Sequence, residues 1–223
     1  MKKRCGILVG IFLIMCTGCG VTTTVTPQKD VELETETLKQ STEDEKETEN
    51  LLEDAVLFYT NKALALGDGA IVTIIVDDFD KNGTFEAFAI TTDEKTLEWI
   101  NSDEFDGGCS NTVSWFLSEV DEVILDNEGD TPYTLEKITE PNGDILVYDK
   151  KWENFYNTQS DFYAVRDGEC VKVQGFSGNI TIDDGTLNVN YSDFFYDEYK
   201  VKKSYYEYDG TEYTLVEETE YTE

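Results

Sequence analysis

The sequence predicts a mainly β protein with about three four-stranded, antiparallel, blade-like units preceded by one amphipathic helix. Apolar residues recur at helical spacing from 43 to 67, and after Gly69 they alternate with polar residues. Asp-Gly, Asn-Gly and Glu-Gly dipeptides separate the alternating runs, as they do in hairpins. Aromatic strands around Trp115, Tyr163 and Tyr206 recur at a spacing of about 45 residues, which is typical of propeller blades.

The first segment, 1–18, is expected to be a lipoprotein signal peptide. A basic start, MKKR, precedes an apolar run from Ile7 to Met15 that is too short to cross a bilayer as a helix. The following "CTGC" resembles the bacterial lipobox, in which a glycine precedes a cysteine that is cleaved and lipidated. The matching residue is Cys19, although Cys16 stands where the lipobox usually has leucine. The resemblance implies a lipid anchor at Cys19, and a plain secretory signal is the alternative.

The segment 19–42 is rich in Thr, Glu and Lys and predicts a flexible tether. The helix is predicted over 43–67, because Thr42 and Glu45 resemble a capping box and Gly67 is a typical C-terminal stop. We expect this helix to pack on the body of the protein and to cover an exposed sheet edge. Its apolar stripe consists of Leu52, Ala55, Val56, Tyr59, Ala63 and Leu66.

The remaining residues, 68–223, are predicted to form one β domain of about twelve strands. Its three units lie at about 70–127, 133–175 and 179–221. Three units are too few to close an ordinary propeller, which typically has four to eight blades. We therefore expect an open, propeller-like assembly, and a β-sandwich built from the same hairpins is the alternative.

The charge balance excludes several classes of function. The chain has 48 acidic and 17 basic residues and a formal net charge of −31. Such a surface repels phosphate backbones, which argues against nucleic-acid binding. It also repels anionic lipid headgroups, so contact with the membrane is expected through the anchor alone. The chain has no histidine, which argues against zinc and haem sites.

Two cysteines, Cys109 and Cys170, lie in the predicted β domain. Outside the cell they could form a disulfide. Equally, both could be small buried apolar residues. The sequence leaves these two interpretations open.

One acidic loop joins two predicted strands, in the stretch "IVDDFDKNGTFEAFAI" from Ile75 to Ile90. Oxygen donors alternate along it, a glycine allows a sharp turn, and an acid follows three residues later. This spacing can wrap one hard cation in side-chain and backbone oxygens. The candidate ligands are Asp78, Asp80, Asn82, the Thr84 carbonyl and Glu86.

The loop resembles the calcium loops of FG-GAP/VCBS-type β-propeller repeats, with the pattern D-x-[DN]-x-[DN]-G-x-x-[DE] between two strands. The resemblance covers this loop and the first predicted unit, and it implies one structural calcium ion. An EF-hand would need a further acid at Ala89 and flanking helices. The alternative is an ordinary type I′ hairpin turn at Asn82 and Gly83.

The residue types in the chain limit the functions that it could have. We find no G-x-S-x-G motif and no histidine, so an enzyme would have to use carboxylates, for example on glycans. The 13 Tyr, 12 Phe and 3 Trp residues mostly suit cores and cross-strand pairs. Trp152, in "KKWENFYN", is the best candidate for exposed contact with a glycan or protein ligand. We therefore expect a non-enzymatic, lipid-anchored, extracellular calcium-binding module at the cell surface, and a carboxylate-dependent glycan-active enzyme is the alternative.

Overall fold

The computed structural model describes residues 31–102, 111–125, 132–153, 157–183, 185–195 and 198–222. The chain divides into two units, Met1–Glu43 and Asp44–Glu223, and every described strand lies in the second. The predicted class is confirmed, because an N-terminal helix precedes three four-stranded antiparallel sheets.

Each sheet is a meander of consecutive strands. The first contains β1 (Gly69–Asp77), β2 (Glu86–Asp93), β3 (Val113–Leu117) and β4 (Glu122–Ile124). The second contains β5 (Pro132–Thr139), β6 (Ile145–Trp152), β7 (Thr158–Arg166) and β8 (Glu169–Ser177). The third contains β9 (Asn179–Asp183), β10 (Thr186–Phe195), β11 (Glu198–Tyr208) and β12 (Tyr213–Thr222). Within the described residues these sheets do not close into a barrel.

The first helix, α1 (Val31–Leu66), is longer than predicted. Thr42, the residue predicted to cap the helix, lies inside it, and the helix begins at Val31, so 31–42 of the segment predicted as a tether is helical. This stretch is rich in the helix formers Glu, Leu and Lys and contains neither Gly nor Pro, so nothing in it stops the helix from starting earlier. The C-terminal end agrees with the prediction, since Gly67 follows the last helical residue.

The helix covers a face of the first sheet, and the expectation that it covers a sheet edge is wrong. Tyr59 and Ala63 are buried against Ala87 and Ala89 of β2 and Leu117 of β3. The small alanine side chains let the helix backbone approach the sheet closely. The contact continues just past the helix. A Cβ on Gly67 would lie 2.5 Å from Cβ of Thr91, so only glycine fits there.

Two further cores join the three sheets in series. One core packs the first sheet against the second through residues such as Phe88, Val147 and Tyr163. The other packs the second sheet against the third through residues such as Phe162 and Leu187. Successive residues of β6 and β7 point to opposite faces, so the second sheet contributes to both cores. Sheets pack face to face in both a propeller-like arrangement and a sandwich, so this packing agrees with either of the two predicted alternatives.

A short second helix, α2 (Glu94–Ile100), is absent from the sequence prediction. Asp93 caps it, because Asp93 Oδ1 accepts the N–H of Thr96 at 2.9 Å. The cap also holds the pKa of Asp93 below its usual value, through hydrogen bonds from the hydroxyl and N–H of Thr96. An aspartate directly before a short run of helix formers was the signal that could have predicted this helix.

Candidate metal site

The acidic loop lies between β1 and β2, as predicted, and its ends are held by the sheet. Asp77, the last residue of β1, pairs with Glu86, the first residue of β2. Lys81 and Gly83 adopt positive φ angles of 60° and 90°. Glycine suits this left-handed conformation, and it lets the chain reverse within a few residues. The flanks are strands, so the EF-hand alternative does not apply.

Three of the predicted ligands are linked to each other through the backbone of the loop. The N–H groups of Asn82 and Gly83 donate to Oδ1 and Oδ2 of Asp78, both at 2.9 Å. The Asn82 N–H and side-chain Nδ2 donate to Oδ1 and Oδ2 of Asp80 at 3.2 and 3.0 Å. The Thr84 N–H donates to Asn82 Oδ1 at 2.7 Å. A carboxylate oxygen keeps a second lone pair after accepting one such bond, so these groups can still bind a cation.

The fourth side chain, Glu86, is in an environment that disfavours a bare carboxylate. It is 1% exposed, and its Oε2 has no hydrogen-bond partner within the described part of the chain. Burial raises the pKa of Glu86 to about 7, and the nearby charges of Asp80, Asp78 and Asp77 contribute, although a backbone hydrogen bond from Phe79 opposes them. Burying a charge without a partner is costly, and a divalent cation is one way to remove that cost.

The chemistry of the donors therefore fits a hard, oxygen-binding cation such as calcium. The side chains are not drawn together as a finished cage, however. Within the described ranges, no group of three or more Asp, Glu, Cys or His side chains is close enough to hold a metal. The carboxylates of Asp78, Asp80 and Glu86 are therefore not already arranged around one ion position.

The loop also contacts two other elements of the fold. The Gly168 N–H, in the turn between β7 and β8, donates to Asp80 Oδ2 at 2.8 Å. Lys81 Nζ donates to the Gly143 carbonyl, in the turn between β5 and β6, at 2.6 Å. The loop is thus tied to the second sheet by one of its candidate ligands and by its central lysine.

The hydroxyl of Tyr59 connects α1 to the same loop by donating to the carbonyl of Phe85. Tyr59 is fully buried, and burial, with the charge of Glu86 next in importance, raises its pKa to about 12. Phe85 directly precedes Glu86 and packs against the helix core. The position of the helix is therefore coupled to the strand that carries Glu86.

A cleft of about 270 Å³ lies beside the loop, lined by residues of the loop itself, of the second sheet and its turns, and by Tyr208 of the third sheet. Its charged lining includes Asp80, Lys81, Asp144 and Arg166. Arg166 Nη2 donates to the carbonyls of Gly210 and Thr211 at 3.2 and 3.3 Å. This arginine thus ties the second sheet to the turn between β11 and β12, next to the place where the acidic loop ties the first sheet to the second.

A buried charge cluster in the second sheet was missed by sequence reasoning. Lys151 Nζ lies 2.7 Å from Asp161 Oδ2 and 3.6 Å from Asp149 Oδ2, and all three side chains are buried. Lys172 Nζ reaches Asp161 Oδ1 at 2.9 Å. These residues occupy strand positions where alternation predicts side chains of one face, but the sequence does not reveal that the face is covered. Two buried carboxylates neutralised by lysine suit a structural ion pair better than general acid–base chemistry on a glycan.

The other predicted site residues have separate positions. Trp152 is 38% exposed at the end of β6. Cys170 is a half-buried free thiol beside the core of the first two sheets, and burial raises its pKa to about 12. Cys19 and Cys109 lie outside the described residues.

No helix among the described residues is both long and apolar enough to cross a membrane. The chain matches no protein-family model, no curated protein and no solved structure.

Proposed function

We propose that the protein is a calcium-binding, lipid-anchored extracellular β protein that serves as an interaction module at the cell surface. The observation that carries the calcium part is Glu86. It is a buried carboxylate with an unpartnered oxygen, next to Asp78 and Asp80, in a loop whose spacing resembles FG-GAP/VCBS calcium loops.

The proposed ion has a structural role. The loop carries three formal negative charges at Asp78, Asp80 and Glu86, and their mutual repulsion opposes a compact loop. One Ca²⁺ would neutralise most of this charge. Because the loop also contacts the turns at Gly143 and Gly168, fixing it would stabilise the junction of the first two sheets.

The proposed location rests on the N-terminal residues. The basic start, the apolar run and the lipobox-like "CTGC" support a lipid anchor at Cys19, and the net charge of −31 supports a body held away from anionic lipids. Membrane fractionation tests this. Cys19→Ala should release the protein from the membrane fraction, whereas Cys16→Ala should leave it there. Equal retention of both variants would contradict the anchor at Cys19.

Thermal unfolding tests the structural role of the ion. In calcium, the wild-type protein should melt at a higher temperature than in EDTA, because an ion that binds only the folded state stabilises it. Asp78→Asn should remove most of this difference. Asp121→Asn, a matched change in the turn between β3 and β4, should leave it unchanged. Identical melting of the wild-type protein in calcium and EDTA would overturn the proposal.

A further inference from the structure

Four large apolar side chains of α1 are exposed outside its contact with the first sheet. Leu51, Leu57, Phe58 and Leu64 are between 38% and 63% exposed. We call these four residues the outer face of α1. The opposite side of the helix already packs on the first sheet through Tyr59 and its neighbours.

The spacing of these residues shows that they form a surface. Leu51 and Phe58 are two helical turns apart, and so are Leu57 and Leu64, which gives two apolar ridges along the helix. The ridges lie about 100° apart around the helix axis, and the exposed Asp54 lies between them. A helix that is apolar on two sides is normally covered on both. Scattered exposed leucines need no explanation, but aligned ridges of large apolar side chains are typical of interaction sites.

The charges around the outer face are negative. Glu49, Glu53 and Asp54 are exposed on the same stretch of helix. The only basic residue between 48 and 66 is Lys62, and it is engaged elsewhere. Its Nζ donates to the Ser118 carbonyl at 2.8 Å and lies 3.3 Å from Glu122 Oε2.

The apolar ridges and the negative charges around them together indicate which kind of partner could bind the outer face of α1. An anionic membrane surface is disfavoured because the helix and the whole chain are acidic. A second copy would bring two chains of net charge −31 together along their acidic helices, which is also disfavoured. A basic amphipathic helix could pack its apolar side against the ridges and pair its cationic side chains with the carboxylates beside them.

We propose that the outer face of α1 docks a basic amphipathic helix of a partner protein. This inference rests on the interaction role proposed above and specifies its partner class, but it does not depend on the calcium ion. The apolar ridges would provide most of the affinity, and the acidic flanks would select a cationic partner and speed its association.

The test uses the full chain and a synthetic amphipathic helical peptide made of leucine and lysine. Its dissociation constant is measured by calorimetry at physiological salt, in calcium and in EDTA. The double variant Leu57→Gln/Leu64→Gln keeps the charge and the helix propensity, so it removes only apolar contact. The control, Leu215→Gln/Val216→Gln, removes equally exposed apolar side chains from β12. Circular dichroism checks that each variant is folded.

We expect the α1 variant to bind the peptide at least about tenfold more weakly than the wild-type protein, and the β12 variant to bind it equally well. Equal binding by all three proteins would overturn the inference, because it would show attraction by charge alone. A wild-type dimer in sedimentation that the α1 variant abolishes would also overturn it, in favour of a second copy. Peptide binding that is the same in calcium and EDTA would keep the inference even if the calcium proposal fails.

Discussion

Replacing Glu86 by glutamine should change the stability in opposite directions with and without calcium. Glutamine keeps the shape of the side chain but cannot ionise. In EDTA at pH 8, the wild-type protein must keep a buried carboxylate charged beside Asp78 and Asp80. Glu86→Gln removes that cost, so the metal-free variant should be more stable than the metal-free wild-type protein.

The magnitude follows from the pKa of Glu86, which rises from an ordinary value of 4.5 to about 7 in the folded protein. A carboxyl group whose pKa is higher in the folded than in the unfolded state stabilises the folded state at low pH. This contribution is lost as the pH rises. The loss occurs between the two pKa values, about 4.5 and 7. The difference corresponds to about 3 kcal/mol as an upper limit, from 1.36 kcal/mol per pKa unit.

Urea denaturation of both proteins at pH 5 and pH 8, in EDTA and in calcium, measures this effect. In EDTA, the variant should gain up to about 3 kcal/mol over the wild-type protein at pH 8 and much less at pH 5. In calcium at pH 8 the order should reverse, because the variant lacks a charged ligand. Asp121→Asn controls for removing one exposed acid.

Two results would refute this reasoning. The first is a variant that is less stable than the wild-type protein by the same amount in EDTA and calcium, which would make Glu86 an ordinary structural residue. The second is an equal dependence of unfolding on pH in both proteins, because it would show that Glu86 does not titrate between pH 4.5 and 7.

Three further substitutions test the packing, each by the free energy of unfolding in urea. Phe162→Ala should cost about 3–5 kcal/mol of the free energy of unfolding. The ring is fully buried, stacks on a tyrosine, and packs against both neighbouring strands and the third sheet. A cost below about 1 kcal/mol would contradict the described core. Lys151→Met should cost about 3 kcal/mol or more, because it leaves Asp161 buried with less compensation, and a neutral result would show that water reaches the pair. Tyr59→Phe should cost about 1 kcal/mol through the lost bond to the Phe85 carbonyl and should also weaken calcium binding; unchanged calcium affinity would show that helix and loop are not coupled.

Local patterns were sufficient to predict the strands and the loop. Alternation and turn dipeptides depend on neighbouring residues only, so twelve strands in three groups of four follow from the sequence. The loop is equally local, since Asp78, Asp80 and Asn82 are bonded through backbone groups within a few residues. The C-terminal end of α1 at Gly67 follows from the same kind of signal.

Long-range packing could not be predicted in the same way. The position of α1 on a sheet face depends on small residues at Ala87 and Ala89, which meet the helix only after folding. The burial of Glu86, on which the metal proposal depends, is a property of the folded structure and does not follow from the loop pattern. The burial of the Lys151–Asp161 pair requires that its face of the second sheet be covered, which the strand pattern alone does not reveal.

The most direct measurement of the central claim is a calcium titration of the metal-free protein by isothermal titration calorimetry. We predict one ion per chain, a dissociation constant of about 0.1–1 mM, as seen for extracellular modules, or tighter, and preference for calcium over magnesium. Asp78→Asn should abolish this binding, and Asp121→Asn should preserve it. Absence of saturable calcium binding to the wild-type protein, or equal binding by both variants, would contradict the claim.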